Sequence, residues 1–188
     1  ASQDHTATQD ATSISVFGEV QWAFAEDWLL TAGARYSDEE KDADYDLFFV
    51  NEWFDLIFPF PFWLPEGTYI EDEFSDDDIS PQVTLEWRGI EGFNFYVSYR
   101  EGFKPGGFSL GATPTAALQV PDDFLFDSEK VEGFEIGFKG LLMDNRLSLE
   151  VVAYDYEFTD LQVNLFNPET ASFRVGNAGE AQTTGVEA

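Results

Sequence analysis

One stretch limits what this chain can fold into. Across residues 126–163, apolar and polar side chains alternate in two long arms joined by a short turn. In the first arm Phe134, Ile136 and Phe138 share a face, opposite Glu135, Gly137 and Lys139. In the second, Leu147, Leu149, Val151 and Ala153 lie opposite Ser148 and Glu150. Period two is the side-chain repeat of a strand whose faces meet different media. Met143, Asp144, Asn145 and Arg146 between the arms have the Asp-Asn chemistry of a tight reversal. Each arm outruns the ~6 residues usual in soluble sheets. Each also reaches the about 9–11 residues that a strand needs to cross a bilayer. Long alternating arms with very short turns are the mark of an outer-membrane β-barrel.

The same alternation recurs upstream. Residues 13–24 set Ile14, Val16, Gly18, Val20, Trp22 and Phe24 against Ser15, Glu19 and Gln21, with Phe17 the exception on the polar side. Residues 28–38 set Leu30, Ala32, Ala34 and Tyr36 against Thr31, Gly33 and Arg35. Trp28 and Tyr36 are eight residues apart on one face, roughly 26 Å of strand. That is near the ~25 Å of an outer-membrane apolar band, whose edges favour aromatic residues. Residues 79–88 and 93–103 form a further alternating pair. After Ala153 the aromatic residues Tyr154, Tyr156 and Phe158 take the other parity. A β-bulge, or the end of the membrane band, is expected there. Residues 173–188 read as a last, weaker strand. The expectation is six strands and a seventh at the end.

Loop lengths sort by side. Turns after the first, third and fifth strands are short, and connections after the second, fourth and sixth are long. Short periplasmic turns and long outer loops produce that pattern in a barrel, whereas a soluble meander has no reason to segregate them. Residues 39–78 are too long for a hairpin loop. Pro59, Pro61 and Pro65 exclude a central strand among them, so a folded surface loop is expected, able to hold a short hairpin of its own. Residues 1–12 are expected to be loop as well.

The formal charge is −28, from 37 acidic residues against 9 Lys and Arg. Nucleic acid is excluded as a partner, because phosphate binding needs clustered cations. The acids gather in residues 38–46 and 71–78 and read as solvated loops. Neither run has the spacing of a calcium loop, and no metal site is expected. With no Cys and a single histidine, His5, expected on a frayed terminus, no catalytic set is expected either. No cofactor is expected. The first residues are polar and do not read as a secretory signal, so either a removed leader or a place inside a longer chain is expected.

Six phrases, in order, resemble the C-terminal barrel of TonB-dependent outer-membrane receptors. They are FGEVQWAFAEDWLLTAGARYSDEEKD, SPQVTLEW, FYVSYREGFKPGGF, FDSEKVEGFEIGFKG, DNRLSLEVVAYDYEFTDLQV and NAGEAQTTGVEA. The resemblance implies an all-β, antiparallel transmembrane barrel of about 22 strands with a plugged lumen, of which residues 1–188 would be an internal piece of six or seven strands. The plug domain, the TonB box and the rest of the barrel would lie elsewhere. It implies outer-membrane lipid and TonB as partners, and TonB-energised uptake of a scarce nutrient such as a ferric siderophore; sugars, cobalamin and haem stay open. A passive porin or structural barrel, and a soluble acidic β-rich binding module, are the alternatives.

Three groups of residues stand out as candidates. Arg35, Glu86, Arg100, Glu135, Lys139 and Glu150 lie on the polar parity, where they line a hydrated lumen, paired with a plug or on the substrate path. Trp53, Phe54, Trp63 and Tyr69 in the long connection either stack on a flat ligand or pack loop on loop. Residues 102–107, GFKPGG, either provide a strand exit that needs glycine or contact substrate.

Overall fold

The computed structural model describes residues 3–49, 67–111, 124–144, 146–167 and 172–188. Trp53, Phe54 and Trp63 lie outside the described residues. The described residues form eleven strands and no helix. They are β1 (Gln3–Ala25), β2 (Trp28–Phe49), β3 (Gly67–Trp87), β4 (Phe93–Lys104), β5 (Gly107–Phe108), β6 (Leu125–Phe126), β7 (Glu129–Leu142), β8 (Leu147–Thr159), β9 (Gln162–Asn167), β10 (Ser172–Asn177) and β11 (Glu180–Glu187). Seven make one antiparallel sheet in the order β1-β2-β3-β4-β7-β8-β11. β9 with β10, and β5 with β6, form two small hairpins beside it.

Register carries the alternation across the sheet. Trp22, Leu30, Leu85, Val97, Ile136, Ala153 and Val186 stand in one cross-strand row. The neighbouring row on the other face runs Gln21, Thr31, Thr84, Ser98, Glu135, Tyr154 and Gly185. The apolar face is bare: Val20 is 70% exposed, Ile136 60% and Val186 71%. A contiguous apolar patch of this extent does not stay in water. Towards the short-turn end it finishes in a chain of rings. Trp28 lies 6.4 Å from Trp87, Trp87 5.6 Å from Phe95, and Phe95 5.8 Å from Phe138.

The short reversals fall at one end of the sheet. Ala25 pairs with Trp28 across Glu26 and Asp27. Met143 and Asp144 both sit in the left-handed region, at φ 54°. The Arg146 N–H closes that turn on the Leu142 carbonyl at 3.1 Å. Asp is tolerated there, as the sequence indicated.

Several segments differ from expectation. Residues 1–12 were expected to be loop, but β1 begins at Gln3 and pairs with β2 over its whole length. The acidic runs are likewise paired strand: Asp42, Asp44 and Asp46 alternate with Ala43, Tyr45 and Leu47, which are buried. Charge concealed a period-two pattern. The 23 residues of β1 span roughly 75 Å, far more than a bilayer, so β1, β2 and β3 continue as a sheet beyond it. The main buried cluster is in this extension, where Ala43, Tyr45, Ile70, Phe108 and Phe124 pack together. His5 belongs to β1 and stacks on Tyr45 at 5.2 Å, so it is not on a frayed end. The last strand is two strands, β10 and β11, parted at Ala178 and Gly179. β9, in what reads as a third loop, completes the hairpin with β10.

No bulge accounts for Tyr154 and Tyr156, since β7 and β8 pair without a break from Lys130–Thr159 to Leu142–Leu147. These tyrosines face the polar side because each covers a glycine on the next strand. A Cβ on Gly185 would meet the Tyr154 hydroxyl at 2.5 Å, and one on Gly133 would run into the Tyr156 ring and the Asp155 carbonyl. Tyr96 covers Gly137 in the same way. Gly133→Val should therefore cost about 1–3 kcal/mol by overpacking, read as a lower urea midpoint of the folded protein in micelles. Gly18→Ala, with open space around it, should leave the midpoint in place. Equal midpoints for the two variants would mean that the tyrosine is not fixed over the glycine.

Candidate functional site

Strand pleat puts Arg35, Glu86, Arg100, Glu135, Lys139 and Glu150 on the polar face, and all but Arg100, which Glu101 follows, are flanked by apolar residues or glycine that face the other way. Four of the six join two clusters. The Arg100 guanidinium lies 3.9 Å from Glu135, a loose contact. Glu135 already accepts from the Tyr156 hydroxyl at 2.6 Å and from Ser98 at 3.5 Å. Lys139 meets Glu150 at 2.8 Å with both side chains more than half exposed, so the pair contributes about 0–1 kcal/mol. Glu86 accepts from Asn94 at 2.8 Å and from Arg88 at 2.7 Å. Arg35 stands apart from these. It donates to the hydroxyls of Ser15 at 2.9 Å and Ser37 at 3.3 Å.

The hydroxyls around Arg35 and the tyrosines over glycine were not among the residues singled out in the sequence. A signal for the tyrosines was present: aromatic residues changing parity opposite a neighbouring strand rich in glycine.

Residues 102–107 do more than let a strand leave the sheet. Gly106 docks this segment onto the β2–β3 extension. Its carbonyl accepts from Lys41 Nζ at 2.5 Å and its N–H donates to Ser128 Oγ at 3.0 Å. Ser128 in turn bonds Asp76. A Cβ at Gly106 would meet the Phe74 ring at 2.8 Å and the Phe126 carbonyl. Only glycine allows so close an approach. Tyr69 is half-buried against the Ala43–Phe124 cluster, and burial pushes its phenol pKa up. Among the described residues no group of three or more His, Asp or Glu side chains has metal-binding geometry.

A two-faced antiparallel sheet, bare and ring-edged on one side, hydrogen-bonded and charged on the other, is part of the wall of an outer-membrane β-barrel. The model of the TonB dependent receptor-like β-barrel family matches residues 1–188, and the chain belongs to that family. It is 21% identical to the pesticin receptor of Yersinia pestis over 182 residues, covering 97% of this chain and 24% of that receptor. It is 22% identical over 187 residues to PiuA of Acinetobacter baumannii, a probable TonB-dependent siderophore receptor, covering all of this chain and 22% of the relative. The ferric yersiniabactin uptake receptor FyuA of Yersinia pestis has the same fold over 98% of this chain and 24% of its own, at a TM-score of 0.73 and 20% identity. The chain thus spans about a quarter of the length of these relatives. The family is one of Gram-negative outer-membrane transport receptors, not of enzymes, and the antiparallel barrel segment expected from the alternation is the fold found, as an open sheet.

Beyond the membrane band Glu40 hydrogen-bonds the carboxyl of Glu73, and this bond, with the repulsion between them, raises the Glu40 pKa. A carboxyl whose folded pKa lies above its unfolded value stabilises the fold in acid, and that contribution is lost as pH rises through the folded value. Amide protection factors in β2 near Glu40, taken relative to the intrinsic exchange rate at each pH, should therefore rise as the pH drops from 7 towards the raised Glu40 pKa. Glu40→Gln should raise them at pH 7 and flatten the dependence. An unchanged profile would dissolve the carboxyl pair. A second measurement addresses the faces. Nitroxides at Phe134, Ile136 and Phe138 should collide with oxygen dissolved in lipid more than with aqueous nickel chelate, and a label at Glu135 should show the reverse.

Proposed function

We propose that this chain is a wall segment of a longer TonB-energised receptor that binds a ferric siderophore at the cell surface and passes it to the periplasm. Residues 1–188 would form part of the barrel domain, seated in the outer membrane of a Gram-negative bacterium. The apolar face of the sheet would meet lipid. The polar face, with Arg35, Glu86, Arg100, Glu135, Lys139 and Glu150, would line the lumen. The β2–β3 extension and the segment docked through Gly106 would stand outside the cell, with Trp53, Phe54, Trp63 and Tyr69 as contacts for a flat ligand.

One observation carries the reading: a family match across the whole chain coincides with a sheet whose register keeps apolar and polar rows apart from Trp22 and Gln21 on β1 to Val186 and Gly185 on β11. A barrel in lipid must close all its backbone hydrogen bonds; this sheet pairs its strands one to the next, and the outer edges of β1 and β11 would pair with the rest of the barrel. Support for a siderophore comes from the relatives, one named for ferric yersiniabactin uptake and another as a probable siderophore receptor. Coupling to TonB would run through a plug domain in the lumen, because none of the described strands lies free to move within the sheet.

A strain lacking the full-length receptor should lose radioactive iron uptake from at least one defined ferric siderophore. Plasmid-borne receptor should restore it, and a strain without TonB should not respond. Undiminished uptake of every siderophore tested would remove iron as the cargo.

A further inference from the structure

β3 has one open edge. On one side it pairs with β2 down its whole length, from Gly67–Leu47 to Trp87–Trp28. On the other it pairs with β4 only from Gln82 to Trp87. Beyond that point β4 stays with β7, and among the described residues no strand is laddered to this side of residues 70–80. Side chains cross the lower part of the gap, Lys130 to Asp78 and Ser128 to Asp76. Residues 70–75 lie above them, with Glu71, Asp72, Glu73 and Ser75 exposed. The Glu73 N–H shows the state of the edge. It donates to the side chain of its own neighbour, Asp72 Oδ1, at 2.9 Å. A strand amide takes such a local bond where no carbonyl arrives from a next strand. By the two-residue period, Glu71 directs its N–H to the same side.

The surface beside this edge is acidic. Glu73 stands opposite Asp42, and Glu71 opposite Asp44. Like charges in direct register destabilise a sheet. Glu40 and Glu73 are close enough for their carboxyls to hydrogen-bond. β3 holds no Lys or Arg, and Lys41 on β2 is bound to the Gly106 carbonyl. A cavity of about 350 Å³ opens here, lined by Asp42, Ala43, Asp44, Glu71, Asp72 and Glu73. Charges on an edge strand keep like chains from pairing with it. A second copy of this chain, with 37 acidic residues against 9 Lys and Arg, is therefore repelled, and a strand of opposite charge is not.

We propose that the β3 edge at residues 70–75 accepts an extended cationic peptide segment of another protein, which adds as a strand beside β3 and sets Lys or Arg against Glu71 and Glu73. Main-chain bonds supply the pairing and alternate side chains the selectivity. A carbonyl of the added strand replaces Asp72 as acceptor for the Glu73 N–H. Its cations enter the carboxylate cavity and relieve the repulsion between β2 and β3. Its other side chains fall on the face of Ile70 and Phe74, so the segment carries cationic and apolar residues by turns. This inference rests on the extension standing outside the bilayer, and not on which nutrient the receptor carries.

The test uses the full-length receptor in detergent micelles and an octapeptide alternating Lys and Val. Amide exchange is read residue by residue by electron-transfer mass spectrometry. In receptor alone, the Glu71 and Glu73 amides should have protection factors at least tenfold below those of Val83 and Leu85, which lie in the β3–β4 ladder. Saturating Lys-Val peptide should raise them at least fivefold. An octapeptide alternating Lys and Pro has the same charge but cannot form a ladder, and should leave them unchanged. Glu71→Gln combined with Glu73→Gln relieves repulsion and so keeps the fold; it should weaken Lys-Val binding at least threefold. Full protection without peptide would mean that the receptor's own chain already fills the edge, and would overturn the proposal. Equal effects of the Lys-Val and Lys-Pro peptides would reduce it to ionic adsorption and overturn it too, as would undiminished binding to the double variant. Iron uptake plays no part in these readouts, so neither the siderophore reading nor this one falls with the other.

Discussion

Every feature of this sheet answers to one constraint: peptide N–H and C=O groups placed at bilayer depth have only each other to bond. A strand cannot satisfy itself, so each of the seven main strands depends on an antiparallel neighbour. Once that ladder is fixed, side chains have two directions and no third. One leads to hydrocarbon, and Val20, Ile136 and Val186 follow it uncovered. The other leads to the polar face, where Glu86, Glu135 and Lys139 find partners. Burial, the usual currency of folding, hardly appears at this level. The main buried cluster, Tyr45 with Ile70 and Phe124, lies in the extension beyond the bilayer, where water restores the ordinary hydrophobic drive.

The wall was legible in the sequence because its two media impose a strict repeat. Trp28, Leu30, Leu85, Phe95, Ile136 and Val151 could be assigned to a face by counting twos. The extension was less legible. Between Asp38 and Leu47 the alternation of Asp with Ala43, Tyr45 and Leu47 is as regular as any in the wall, but six acids within it suggest solvent on both sides. What the acids do not reveal is that distant residues, Gly106, Phe108 and Phe124, lie on the odd-numbered ones. Contacts of that kind depend on chain returning from 60 residues away, and no local pattern records them.

The polar residues divide in the same way. That Arg35 and Arg100 share a face follows from parity. That Gln82 and Gln21 hold Glu19, leaving Arg35 with serines, depends on rotamers and cross-strand distances that a sequence does not contain. Tyr154 and Tyr156 are an intermediate case. Their change of parity was visible, but its cause was the absence of side chains at Gly185 and Gly133 on the adjoining strands, a property of pairs and not of either strand alone.

The ladder between β3 and β4 ends at Gln82–Arg100, one residue short of Pro81, which has no N–H to offer a further rung. Above that level β3 stays zipped to β2 and β4 to β7, so the wall parts into two panels like a split seam. Side chains join them: Lys130 to Asp78, Ser128 to Asp76, Lys41 to the Gly106 carbonyl, and Tyr45 and Ile70 to the buried rings of Phe108 and Phe124. A push on one panel therefore reaches the other through side chains and not through a backbone ladder, and the outer mouth can flex along this line while the lower staves hold their register.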